Sequence, residues 1–150
     1  MMLRHADSQA NHQEHEQLLA ELRALESALN GLVCYAEVYT DLGTAPQVYA
    51  AGRQLRTAVP RHFQHEEQTV LDAVAALGPD WAAFCKEMKR QHQQLSGKLE
   101  DFCAAMDELE DAPDLEECIC ELKRRGEEFS KQMASHMGAE ERRLEILTNA

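Results

Sequence analysis

The sequence predicts an all-α protein, an antiparallel up-down-up-down four-helix bundle. Three observations lead there. Apolar residues recur at alternating steps of three and four along nearly all of the 150 residues, the spacing that lays one apolar stripe along a helix. Alternating strand-like patterns are nearly absent. Three short clusters of Gly, Pro and Asp cut the stripe into four lengths, and short connections between helices favour antiparallel neighbours.

The first stripe reads His15, Leu18, Leu22, Leu25, Leu29, Leu32, Ala36, Tyr39, with Gly31 a point of interruption. The break from Asp41 to Pro46 contains Gly43 and then Thr44-Ala45-Pro46-Gln47, a capping-box pattern with Pro in the first turn. The second stripe reads Val48, Gly52, Leu55, Val59, His62, Glu66, Val70, Leu77, and its spacing loosens after Glu66. Pro60 lies inside it and is expected to kink the helix, because proline removes a backbone donor. Gly78-Pro79-Asp80 is the next break, with Asp80 the expected N-cap. Trp81, Cys85, Met88, His92, Leu95, Leu99, Phe102 and Met106 form the third stripe. Asp111-Ala112-Pro113-Asp114 ends it, with Asp114 and Glu117 resembling a cap and its partner. The fourth stripe is Leu115, Ile119, Leu122, Gly126, Phe129, Met133, His136, Glu140, Leu144, Leu147. No linker or repeat divides the chain, so residues 1–150 are expected to form one domain.

Asp and Glu number 27 against 15 Lys and Arg, a net charge of −12. That balance argues against nucleic acid or an anionic membrane as partner. No stretch approaches a membrane span, and Met1 to Gln9 has no apolar run of a secretory signal; the cytoplasm is the expected compartment. Cys34, Cys85, Cys103, Cys118 and Cys120 are odd in number and include no Cys-x-x-Cys. Free, mostly buried thiols are therefore expected.

The polar residues on the stripes carry the chemistry. His62 and Glu66 are four apart, as are His136 and Glu140. Four residues turn about 40° around a helix and rise about 6 Å, so each pair points one way. His15 and His92 lie on the other two stripes. In an antiparallel hairpin, residues equidistant from the turn share a level. His62 or Glu66 matches His92 across the Gly78-Pro79 break, and His92 matches His136 or Glu140 next to the break at 111–114. His15 matches His62 or Glu66 slightly before the first break. Two carboxylates and four imidazoles gathered in an interior would cost many kcal/mol without a cation. Hence His15, His62, Glu66, His92, His136 and Glu140 are the expected metal ligands, for two metals about 4 Å apart with Glu66 and Glu140 as bridges. His12 lies farther from level than His15, His65 flanks its stripe, and Glu67 is expected to face outward. Imidazole with carboxylate and no thiolate suits iron, manganese or zinc. Ferritin-like bundles use Glu-x-x-His, and no histidine in this chain has a glutamate three residues before it.

His15-Glu16-Gln17-Leu18, His62-Phe63-x-x-Glu66-Glu67, His92-Gln93-Gln94-Leu95 and His136-x-x-x-Glu140-Glu141 together resemble the hemerythrin and HHE cation-binding domain family, over nearly the whole chain. The resemblance implies a non-haem di-iron centre, two iron ions with carboxylate bridges and a bridging oxygen species, with zinc or manganese as possible substitutes. It also implies a small ligand: O2, nitric oxide or peroxide. The chain departs from the oxygen-carrying members. They carry two histidines four apart on the third helix, whereas here Met88 and Ser96 flank His92 at that spacing. They end in His-x-x-x-x-Asp, whereas here Glu140 follows His136 by four and Glu141 by five. Four histidines and two glutamates are closer to the iron–sulfur repair members, whose cysteine-bearing N-terminal segment is missing here.

Binding or sensing of a small diatomic ligand is the reading this favours over catalysis. A di-iron redox or repair-type protein is the alternative, and a structural bundle with an incidental metal a third. No docking motif for a protein partner is visible.

Overall fold

The computed structural model describes residues 4–32, 43–111 and 115–148. Helix α1 is His5–Asn30 and α2 is Ala45–Glu66. α2 runs on through a π-helical segment, Glu67–Leu71, and one last α turn, Asp72–Ala75. α3 is Pro79–Glu110 and α4 is Leu115–Thr148. No strand occurs among the described residues. The helices pack in a closed cycle, α1 on α2, α2 on α3, α3 on α4 and α4 on α1. Neighbours run antiparallel. Ala28 meets Thr44 while Glu14 meets His62; Lys98 meets Glu128 while Gln91 meets His136.

The stripes face the core as their spacing requires. Leu18, Leu22, Leu25 and Leu29 of α1 are buried, as are Val48, Leu55 and Val59 of α2. Leu95, Leu99, Phe102 and Met106 of α3 and Ile119, Leu122, Phe129 and Met133 of α4 are buried likewise. Ala36 and Tyr39 fall outside the described residues, as do Asp41 and Asp114. Gly126 lets α1 and α4 approach: a Cβ there would lie 2.6 Å from Leu29 Cδ1 and 3.0 Å from Phe102 Cε2. Both neighbours are fully buried, so they can make room only by repacking the core around them. Gly126→Val is therefore expected to lower stability by about 1–3 kcal/mol, the usual cost of overpacking. A denaturant midpoint equal to wild type would show that the core yields there.

Several local expectations are corrected. Thr44 is the N-cap residue of α2, but its hydroxyl makes no cap bond there. It donates instead to the Ala28 carbonyl, 2.7 Å away, which also accepts the Gly31 N–H at the end of α1. Lys123 Nζ reaches the Leu32 carbonyl at 3.1 Å at the same end, where a cation suits the helix dipole. Asp80 is not a cap: α3 begins at Pro79, and Gly78 precedes it at φ +152°, a backbone conformation only glycine tolerates easily. Pro60 lies inside α2, which stays α-helical to Glu66, with the ring on an exposed face. Cys85 and Cys103 are free, and Cys34 lies outside the described residues. Cys120 is disulfide-bonded, against the expectation of free thiols throughout.

The loosened spacing after Glu66 has a structural cause. In the π segment the Asp72 N–H bonds the Glu67 carbonyl, a span of five residues instead of four. The wider turn re-phases the helix, so that Val70, Leu71 and Val74 all reach the interior. With Cys85, Met88 and Leu144 they form a small apolar cluster, separate from the main core.

Candidate metal centre

All six predicted residues come together. His15, His62, His92 and His136 are between 1% and 5% exposed, and Glu66 and Glu140 are 0% exposed. The Nε2 atoms of His15 and His62 are 3.0 Å apart. Glu66 Oε2 lies 3.1 Å from His15 Nε2 and 3.3 Å from His62 Nε2. Its other oxygen, Oε1, lies 3.0 Å from His92 Nε2. Glu140 is split the same way: Oε1 is 3.3 Å from His15 Nε2, and Oε2 is 3.4 Å from His136 Nε2 and 3.8 Å from His92 Nε2. Each carboxylate thus presents one oxygen to the His15/His62 pair and one to the His92/His136 pair. The groups that converge tightly enough to hold an ion are His15, His62 and Glu66, and Glu66, His92, His136 and Glu140.

The outer ring nitrogens fix the tautomers. His15 Nδ1–H donates to Glu141 at 2.9 Å, and His62 Nδ1–H to Glu14 at 3.0 Å. His136 Nδ1–H donates to the Gln91 amide oxygen at 2.7 Å. A carboxylate or amide oxygen only accepts, so Nδ1 carries a proton in each of the three and Nε2 is the nitrogen turned inward. His92 is held less firmly: Glu67 Oε2 is 3.5 Å from its Nδ1, which makes no hydrogen bond. Its ring is instead stacked on Phe63, 4.0 Å between centroids.

These outer partners follow a pattern that the sequence reading missed. Glu14 precedes His15 but supports His62 on the next helix; Gln91 precedes His92 but supports His136. Glu67 follows Glu66 and leans toward His92; Glu141 follows Glu140 and supports His15. Three of the four histidines are thus braced from the neighbouring helix, and the fourth, His92, is only approached, by Glu67. The signal in the sequence was a polar residue beside every inner ligand.

His12 and His65 do not reach the interior. His12 is exposed and bonds Glu141 and Glu16; His65 bonds Glu14. Gly138 does not border the cluster, since the nearest atom to a Cβ there is the Arg142 guanidinium at 3.3 Å. Met88 lies in the small apolar cluster.

The electrostatics of the metal-free chain are strained. Burial works against a charge on His15 and His92, yet the facing carboxylates of Glu140 and Glu66 outweigh it, pushing them up to about 10 and about 9. Burial and the charge of His92 push His136 down to about 4. Burial and its neighbour Glu66 raise Glu140; burial works to raise Glu66 too, but the facing Glu140 carboxyl and the imidazoles of His15, His62 and His92 hold it well below the usual carboxylate range. Protons are standing in for a larger positive charge. Glu66 Oε1, both Glu140 oxygens, His136 Nε2 and His92 Nε2 remain buried without a hydrogen bond, which ordinarily costs about 1–3 kcal/mol for each group. A donor set of inward Nε2 atoms and orphaned carboxylate oxygens fits cations.

Fold and site together define a four-helix bundle with a buried cluster of histidine and glutamate in its core, a donor set that could hold a cation. The family model described as Hemerythrin HHE cation binding domain matches residues 9–145, and the chain belongs to that family. No curated protein and no solved structure matches.

His15→Ala is expected to reduce metal loading severalfold more than His12→Ala, because only His15 turns its Nε2 inward. Metal analysis of the two variants checks this; a greater loss from His12→Ala would place the ligand on the wrong face of α1.

Proposed function

We propose that the protein holds two metal ions, natively iron, on His15, His62, Glu66, His92, His136 and Glu140, and that it binds or senses a small ligand such as O2, nitric oxide or peroxide. The observation that carries this reading is the splitting of both buried carboxylates between two imidazole pairs. One ion would explain one such pair and leave the other orphaned. Bound iron would supply a redox-active centre able to take up a small ligand. The chain's own part is to keep Nε2 lone pairs inward through Glu14, Gln91 and Glu141, and to keep water out. Apolar clusters on both sides of the layer, with Phe63, Met88, Phe129 and Met133 fully or almost fully buried, do the latter.

Among the described residues no helix is long and apolar enough to cross a membrane. A cytoplasmic location is part of the same proposal. The test is elemental analysis and an optical spectrum on protein purified without oxygen and loaded with ferrous iron. Two irons per chain and an optical band that appears with O2 or nitric oxide and reverses on its removal support the reading. One iron or none overturns the site; two irons with turnover in the presence of a reductant would make the protein an enzyme instead.

A further inference from the structure

We infer that the two metal positions are unequal, and that Glu14 and Glu141 make the His15/His62 position the firmly held one. This rests on the two-ion reading above. The inner donors are similar but not equal. Each half has two imidazoles and one Glu66 oxygen, and Glu140 turns Oε2 to His92 and His136 and Oε1 to His15 alone, so the tightly gathered donors number three in the first half and four in the second. The outer partners favour the first half. Both histidines of the first half donate Nδ1–H to a carboxylate, His15 to Glu141 at 2.9 Å and His62 to Glu14 at 3.0 Å. In the second half His136 has a neutral amide, Gln91, and His92 Nδ1 has no hydrogen bond. A carboxylate accepting the outer proton draws it away from the ring, makes Nε2 more basic and locks its direction. An amide does so less, and a carboxylate 3.5 Å away less again.

The two supporting carboxylates are themselves braced. Glu141 also takes a hydrogen bond from His12 Nδ1 at 2.9 Å, and Glu14 one from His65 Nδ1 at 3.2 Å. Each is therefore fixed between a buried and an outer histidine. Among the described residues no second histidine holds Glu67 in this way. Grooves also reach the histidines of the second half themselves, whereas the one beside the first half, lined by His12 and Glu141, reaches neither His15 nor His62. A groove of about 620 Å³ between α2 and α3 is lined by His92, Phe63, Glu67 and Ser96. A smaller one of about 280 Å³ between α3 and α4 is lined by His136 and Gln91. The ion between His92 and His136 should leave first.

Cobalt(II) is a suitable probe, since its visible absorption reports ligand geometry without any turnover. Cobalt-loaded protein mixed with excess chelator should lose metal in two phases of equal amplitude. Glu14→Gln and Glu141→Gln keep an acceptor oxygen but remove the charge. Each should speed the slow phase by about 10–100-fold, the usual effect of such partners on metal affinity, and leave the fast phase nearly unchanged. Gln91→Glu should do the opposite, slowing the fast phase alone. Circular dichroism before chelation confirms that the variants are folded. A single phase releasing both ions, or acceleration of the fast phase by Glu14→Gln and Glu141→Gln, overturns the ordering and leaves the two-ion site standing. A chain that takes up no cobalt overturns that site, and the ordering with it.

Discussion

Glu66→Ala and Glu140→Ala should each lower metal content to half or less, while Glu67→Ala leaves it close to wild type. Each of the first two carboxylates faces both histidine pairs, so losing either removes a donor from both halves at once. Glu67 is a third exposed on its side chain and touches only the outer edge of His92 at 3.5 Å. The effect should not come from unfolding. In the metal-free chain Glu140 is an acid pushed up by burial beside Glu66, so its replacement removes no stabilised charge. Metal analysis together with thermal melts of the metal-free variants separates the two causes. An equal loss from Glu67→Ala would overturn the assignment on α2.

Removing the metal should lower the melting temperature by more at about pH 9 than at about pH 6. The sign follows from two linked equilibria. In the metal-free chain His15 and His92 are pushed up to about 10 and about 9. Their contribution to stability is complete below the unfolded value of about 6.5 and is lost as pH rises through 9 to 10. Metal needs the same rings neutral, so its affinity rises about tenfold per pH unit for each proton it displaces. The loaded form is stabilised by about 4 kcal/mol when free metal exceeds its dissociation constant a thousandfold. His136 acts on the acid side. Pushed down to about 4, it contributes stability above about 6.5 that disappears as pH falls. The metal-free chain should therefore be most stable near pH 6.5, and the gap to the loaded form should widen above it. Paired calorimetric melts across that range provide the check; a constant or narrowing gap would mean that the imidazoles hold no extra protons.

The helices and inner site residues were legible because both are written in spacing. A buried stripe fixes which face of each helix turns inward, and the hairpin breaks fix the level. His92 was matched to Glu66 across Gly78-Pro79, and their side chains lie 3.0 Å apart. The bracing residues Glu14, Gln91 and Glu141 were not legible, because each is partly exposed and has the composition of an ordinary helix surface. Only the neighbouring helix gives it a role. Thr44 was misread for a related reason: a hydroxyl before a helix suits a local cap, and the competing acceptor, Ala28, is 16 residues away. The π segment left a trace in the loosened spacing after Glu66, but spacing alone cannot tell an inserted residue from a frayed end.

The layer of four imidazoles and two carboxylates has a consequence for assembly. Leu, Met and Phe on the four stripes are interchangeable enough that one helix slid by a turn past its neighbours would still bury apolar area. The polar layer is not interchangeable. A slip of one turn, about 5.4 Å, would push Glu66 or Glu140 against Leu or Met and strand a charge at a cost of several kcal/mol. The six residues act as a key that admits one stagger of the helices and rejects its near neighbours. A chain with all six replaced by leucine should still form helices, yet give broad amide resonances from bundles of mixed stagger. Sharp resonances from that chain would show that the apolar contacts alone choose the stagger.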